Sequence, residues 1–376
     1  LESGFKKAFK GNWGAYAHTK RVGVVQDLNI LSHGAKMSHL RKTNLPLDAS
    51  VKVVGPRVLH GSQWGYFDPI DTPDGGNIGL HKHLSITTYV TRKISREPLK
   101  EWVLRNTKIE SLESTEISNL QVYSKIFLNG LWLGIVREPQ EFIEKIKIHR
   151  RNGLIPIYVS VSFEIKTKTI YLFCDEGRVT RPIFYKDGDK MSFELPKANV
   201  ELPKGEFSWN QLITGFNKKS IDSYDPNAYV IYNAKQLYGA SDDNILKLQQ
   251  FIDNKSVLDY IDSSESDNAL IAMKYSDYLQ SPKEYTHMEI HESCILGVMC
   301  NLIPFPENNP ATRNSFSCGQ SKQAASLYNT NYQMRMDKSA VVLNNGQIPL
   351  VKSRYMQHIS NEENVYGENA IVAIMT

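Results

Sequence analysis

Cysteine is scarce in this sequence, with four among 376 residues (Cys174, Cys294, Cys300 and Cys318) and no CxxC spacing between them. That argues against a zinc ribbon and against a disulfide framework, and it fits a reducing compartment. Long apolar runs are missing as well. No stretch of roughly 18 apolar residues occurs, so no helical membrane span is expected. No signal-peptide pattern opens the sequence. The G-x-S-x-G elbow and the G-x-x-x-x-G-K-[ST] phosphate loop are both absent. A Ser/His/Asp triad is thus left without positive support, and an ATPase reading is weakened. His287 and His291 stand four apart, but a metalloprotease helix carries its glutamate directly after the first histidine, and Glu289 comes one place late. No residue is therefore assigned as a metal ligand.

What is present is ordinary globular composition, 41% apolar and 22% charged, with room for two or three domains. The net charge of +4 is modest but unevenly placed. The first 60 residues hold ten Lys/Arg, among them Arg41, Lys42 and Arg57, against Glu2, Asp27 and Asp48, together with four histidines. Such one-ended basicity is the footprint of a surface that faces a polyanion, although lysines are also scattered for solubility.

Local signals organise the rest. A helix is expected over Phe5–Phe9 and a turn at Gly11-Asn12-Trp13-Gly14, while Arg21–Ile30 is apolar and ambiguous. The run DTPDGGNIG (Asp71 to Gly79) reads as a rigid turn whose Asp side chains cap backbone N–H groups, or as a phosphate or metal loop. Its glycines imitate a dinucleotide fingerprint without a clear strand–turn–helix context, and its Asp spacing is wrong for an EF-hand. Val122–Phe127 and Leu131–Val136 flank Asn129-Gly130, a hairpin signal. Gln140–Arg151 is amphipathic and is stopped by Asn152-Gly153. Strands are expected at Ile157–Ile165 and Thr169–Cys174. Between Ile183 and Asp267 the chain turns polar and acidic (Asp222, Asp225, Asp242, Asp243, Asp253, Asp259, Asp262, Glu265, Asp267), and a solvated outer face with inserted loops is expected. The sequence opens on Leu1 and closes in the apolar run Ala370–Thr376, which reads as a buried strand, so the whole reads as a piece of something longer. The expected fold class is α+β and multidomain, with mixed helices and mostly antiparallel sheets.

The most informative stretch is Thr286–Leu327. An apolar run breaks at Pro304-Phe305-Pro306, crosses a Pro/Asn-rich turn, and gives way to a helix expected over Arg313–Leu327 with Gly319 inside it. At about 100° per residue, Arg313, Phe316, Gln320 and Gln323 fall within roughly a 90° arc along about 15 Å of helix, with Lys322 adjacent. A core-facing helix would carry Leu, Ile and Val there. One cation, one ring and two amides suit phosphates and bases better, while a solvated surface helix fits the spacing equally.

In order and spacing, EIH, IPFP, NN–RN and KQA in this stretch resemble the second-largest subunit of multisubunit DNA-dependent RNA polymerases, as do SHLRKTN, WG and PIDTPDGGNIGL earlier. FLNGLWLG, HRRNG and DEGRVTRP between them resemble its external domains. The resemblance implies the end of a protrusion-like domain at 1–10, a fork-like domain at 11–91, external domains at 92–297, and the beginning of a hybrid-binding domain at 298–376. It implies that Arg313 reaches the phosphates of the incoming nucleotide, and that Gln323, with Lys322, holds the backbone at the RNA 3′ end. Phe316 stands where many members carry Tyr or Met. Gln26, Arg41, Lys42, Arg57 and Asp74 would face nucleic acid or nucleotide, as would Phe316, with Pro46–Arg57 as a loop near the downstream edge of the bubble. Asp71 and Asp74 occupy positions where the family usually has Glu. Mg2+ is implied as cofactor, held mainly by the largest subunit. The implied partners are that subunit, other polymerase subunits, template DNA, nascent RNA and NTPs. A non-enzymatic nucleic-acid-binding module or an assembly protein stands as the alternative.

Overall fold

The computed structural model describes residues 1–9, 12–13, 21–22, 25–195, 198, 205, 207–216 and 251–375. The elements that bear on function are, in chain order, α1 (His33–Leu40), β1 (Lys42–Asn44), β2 (His81–His83), α2 (Glu97–Asn106), β3 (Ser124–Leu128), β4 (Leu131–Val136), α3 (Pro139–Arg151), β5 (Ser160–Glu164), β6 (Thr169–Phe173), β7 (Val179–Asp187), β8 (Leu258–Asp262), β9 (His287–Met288) and α4 (Ala311–Lys322). They fall into two units. One comprises Leu1–Leu59, Asp68–Leu84 and Leu296–Thr376, the other His60–Phe67 and Ser85–Ile295.

In the second unit the Asn129-Gly130 signal makes a hairpin. β3 and β4 pair antiparallel, and Asn129 (φ 46°) and Gly130 (φ 81°) both adopt the left-handed backbone that a tight two-residue turn needs. β6 joins β3 in parallel, β5 joins β6 antiparallel, and the short strand Glu110–Ser111 completes a five-stranded sheet at β4. α2 and α3 bring Leu99, Trp102, Phe142 and Ile146 into the same core as Ile126, Leu128, Ile170 and Leu172. Each such side chain, taken fully out of water, contributes about 2 kcal/mol. α3 starts with proline in its first turn and ends as the sequence predicts: the Asn152 N–H turns back to the His149 and Arg150 carbonyls, and Gly153 is left-handed at φ 68°. A second sheet is built around β7, which pairs antiparallel with β8 and β9. The architecture is α+β, with mostly antiparallel pairing.

In the first unit the β1–β2 ladder pairs Lys42 with His83, and α4 packs on α1. Beneath α4 lies a small core of Met299, Cys300 and Cys318 with Ile70 and Leu302 against it. The Pro304–Pro306 break is real, and Phe305 there is left-handed at φ 48°. For a non-glycine residue that costs about 1–2 kcal/mol.

Several expectations need correcting. α4 stops at Lys322 and does not reach Leu327. Ser32 Oγ donates to the Lys322 carbonyl at 2.9 Å, the acceptor a further turn would need, and Gln323 becomes the cap. The acidic stretch is not simply a solvated face, because Asp259, Asp262 and Glu265 are 2–3% exposed and are paired with arginines. Ala370 to Met375 form no strand. Ile371, Val372, Ile374 and Met375 are exposed, and among the described residues no strand pairs with them to satisfy their backbone. Gly11, Gly14, Asp222, Asp225, Asp242 and Asp243 lie outside the described residues.

Candidate nucleic-acid interface

The ridge read from periodicity is set by which face of α4 is anchored. Asn314 and Cys318, four apart, are buried, and Asn314 Nδ2 donates to the Pro306 carbonyl at 2.8 Å. Ser315 Oγ donates to the Ile70 carbonyl at 2.8 Å. These bonds turn the opposite face outward, so Arg313, Phe316, Gly319, Gln320 and Gln323 are all exposed. The Arg313 guanidinium lies 5.7 Å from the Phe316 ring centroid, a cation–π spacing that keeps the arginine along the ridge. Gly319 has nothing within 4 Å of where a Cβ would stand, so the ridge has an open step at its middle.

Below that step is a concavity of about 340 Å³, lined by Ser38, His39, Lys42, Asp71, His83 and Lys322 among others, with Asp74, Gly319 and Gln323 also lining it. Its floor is an ion pair that the linear sequence hides. Lys322 Nζ lies 2.7 Å from Oδ1 of the buried Asp71 and 3.4 Å from His83 Nε2. His83 Nδ1 lies 2.9 Å from the Asp71 carbonyl oxygen, which can only accept. The ring hydrogen therefore sits on Nδ1, and Nε2 accepts from the lysine. Burial is the main reason the His83 pKa is lowered, with Asp71 opposing and Lys322 reinforcing, so the ring is neutral at neutral pH. Burial, then the charge of Lys322, lowers the Lys42 pKa, and Asp71 opposes. Two lysines, Lys42 and Lys322, and two carboxylates, the buried Asp71 and the exposed Asp74, line the concavity, and Asp71 is paired with Lys322.

The remaining sequence-predicted residues divide into those beside the concavity and those spent on structure. Gln26 is exposed, and its Oε1 receives His39 Nε2–H at 3.0 Å while the Asn29 N–H donates to His39 Nδ1. Arg41 caps α1 with its backbone, is half-buried, and has its pKa lowered by burial. Asp74 is exposed and makes no cap hydrogen bond, unlike Asp68, whose carboxylate receives the Ile70, Asp71 and Gly297 N–H groups. Arg57 is placed differently from the others. Its Nη1 donates to the Gly76 and Ile78 carbonyls at 2.7 and 3.0 Å, and its Nη2 to those of Ala49 and Val51 at 3.1 Å. The guanidinium staples the DTPDGGNIG turn to the preceding loop, with few donors left for a ligand. Gly79 fits this closeness, since a Cβ there would meet the Arg57 carbonyl oxygen at 2.1 Å. Among the described residues no three His, Cys, Asp or Glu side chains converge to hold a metal.

Family models for RNA polymerase Rpb2 match three stretches: domain 3 over residues 24–90, domain 4 over 126–187 and domain 6 over 299–376. DNA-directed RNA polymerase II subunit 2 of Arabidopsis thaliana is 35% identical over 100% of this chain. The chain belongs to the family of RNA polymerase second-largest subunits. DNA-directed RNA polymerase subunit 2 of Acanthamoeba polyphaga mimivirus is 31% identical over 100% of this chain, and subunit Rpo2 of Sulfolobus acidocaldarius is 29% identical over 97%. This second-subunit chain spans 29%, 30% and 29% of the Arabidopsis, mimivirus and Sulfolobus proteins. The ridge and the concavity lie within the stretches matched by domains 6 and 3.

Sequence reasoning on this polymerase chain missed the Asp71–Lys322 pair, the neutral His83 and the Arg57 staple. The pair joins residues 251 apart, and no local spacing signals it.

Proposed function

We infer that this chain helps form the active-centre cleft of a DNA-directed RNA polymerase, where it holds the RNA–DNA hybrid and the incoming nucleotide during transcription. In this reading residues 11–91 are the fork, 92–297 the external domains and 298–376 the opening of the hybrid-binding domain. The single observation that carries it is the exposed row Arg313, Phe316, Gln320 and Gln323, a cation, a ring and two amides, beside a concavity that Lys42 and Lys322 line. Phosphoryl transfer to a growing strand is mainly positioning plus neutralisation of developing charge. Arg313 supplies a delocalised cation for a nucleotide phosphate. Gln323 supplies amide contacts to RNA backbone, and Gln26, Arg41 and Lys42 flank them. Lys322 is tied to Asp71 in the floor and leaves direct contact to Gln323. Of the two carboxylates that line the concavity, Asp71 is committed to Lys322 and only Asp74 is left, so the residues here do not fit a Mg2+ site. The ion belongs to the largest subunit in this reading, and no step is derived through it.

A photo-crosslinking side chain placed at Phe316, in polymerase assembled around the full-length subunit, tests the reading. Transfer of label from the RNA 3′ end or from a nucleotide is expected there and not from the exposed position Ile117 of the other unit. Equal labelling at both positions, or none at Phe316, would refute it.

A further inference from the structure

The second unit carries a concentration of positive charge that polymerase chemistry does not use. Around the C-terminal end of α3, Arg150 lies 2.8 Å from Glu265 and 3.1 Å from Asp259, Arg151 lies 2.7 Å from Asp259, and Lys147 lies 3.5 Å from Glu265. Three cations thus share two buried carboxylates. A concavity of about 260 Å³ opens beside this cluster, lined by Lys147, Arg151, Lys186, Lys283, His287 and Tyr185, among others, and among the described residues no carboxylate lines it. Lys186 donates to the carbonyl of Pro282, which brings no negative charge, and Lys283 is exposed. The nearby Asp187 is spent on Lys255.

A second observation points to a missing partner. His287, 6% exposed, lines the same concavity, and its Nε2 is buried with no hydrogen-bond partner. Its Nδ1 is occupied by Thr286 Oγ1 at 2.9 Å. A buried polar atom without a partner has lost its bond to water, and a ligand that meets it restores a hydrogen bond.

We propose that this concavity is a binding site for a phosphate monoester dianion. Several geometric features favour that class over a carboxylate. The cations outnumber their counter-charges by more than one, which calls for a dianion. The Arg151 guanidinium is already oriented by stacking 3.5 Å over the Tyr185 ring and by the Nε and Nη2 bonds to Asp259, so its Nη1 donors are presented without further ordering. The volume exceeds that of a phosphate alone and leaves room for the group esterified to it. With Nδ1 accepting from the Thr286 hydroxyl, the His287 ring hydrogen sits on Nε2 and can be donated to a phosphate oxygen. Burial, followed by the charge of Lys147, pushes the His287 pKa down to about 3, so the ring meets the ligand as a neutral donor.

The test is a titration of the purified full chain with inorganic phosphate at fixed ionic strength, followed by calorimetry, with acetate as the comparison anion and free phosphoserine as a monoester. Saturable phosphate binding that acetate does not reproduce is expected. In a Lys186→Gln/Lys283→Gln variant the phosphate Kd should rise about tenfold or more, while the melting temperature without phosphate stays unchanged. Because both side chains lie at the rim, the variant should fold, and the melting curve checks that it does. Phosphoserine binding more tightly than inorganic phosphate assigns the site to an esterified phosphate, and the reverse order assigns it to the free ion. Absence of saturable binding, or equal binding by wild type and variant, would overturn the proposal.

Discussion

Lys322 shows at the scale of one residue how function and stability share a side chain. Its ammonium is the partner of a carboxylate that is 4% exposed. In Lys322→Met the Asp71 charge stays buried without a counter-ion, and a loss of about 3 kcal/mol is expected from urea unfolding. Adding Asp71→Asn should recover part of it, since the two residues act on one interaction. A single-variant loss under about 0.5 kcal/mol would mean that water already serves Asp71. Which face of α4 is exposed was legible in the sequence, because helical period alone separates Arg313 and Gln320 from Asn314 and Cys318. The floor was not legible, because charge pairing between residues 251 apart depends on how α4 meets the DTPDGGNIG turn. For the same reason Arg57 read as a free cation in a basic stretch, whereas its donors close a loop.

At the scale of elements, the signals that proved sound were those whose physics is local. Asn-Gly between two apolar runs made a hairpin, and Asn152-Gly153 ended α3. Gly130→Ala should therefore cost about 1 kcal/mol, because alanine resists φ 81°; an unchanged unfolding midpoint would show that the turn relaxes. The end of α4 was misjudged for a non-local reason, a hydroxyl from Ser32 taking its last carbonyl. The acids of β8 and beyond were misjudged similarly, since composition cannot say that Arg150 waits behind them. Burial by itself would raise the pKa values of Asp259 and Glu265, but Arg150, with its basic neighbours, outweighs it and leaves both below the usual carboxylate range. A folded pKa below the unfolded value gives stability that is full above about pH 4.5 and is lost as pH falls through the carboxylate range. Urea midpoints should accordingly drop between about pH 5 and pH 3, and the drop should be shallower in Glu265→Gln. That variant should also be about 3–5 kcal/mol less stable at neutral pH. A slope identical to wild type would contradict the assignment.

At the scale of the whole molecule, the apolar run at 370–375 shows the limit of reading strands from composition: a strand needs a neighbour, and the run is exposed here. The chain by itself is expected to give no nucleotide incorporation, since the proposed reading leaves the Mg2+ with the largest subunit, and measurable primer extension by the purified chain would refute that. Any binding of nucleic acid through the ridge should be indifferent to sequence and weaken as salt rises. The most direct measurement is single-nucleotide incorporation by polymerase assembled with Arg313→Ala in its full-length second subunit. Loss of one charge-assisted contact to phosphate should slow incorporation at limiting nucleotide by about 10- to 100-fold. Kinetics equal to wild type at every nucleotide concentration would contradict the account.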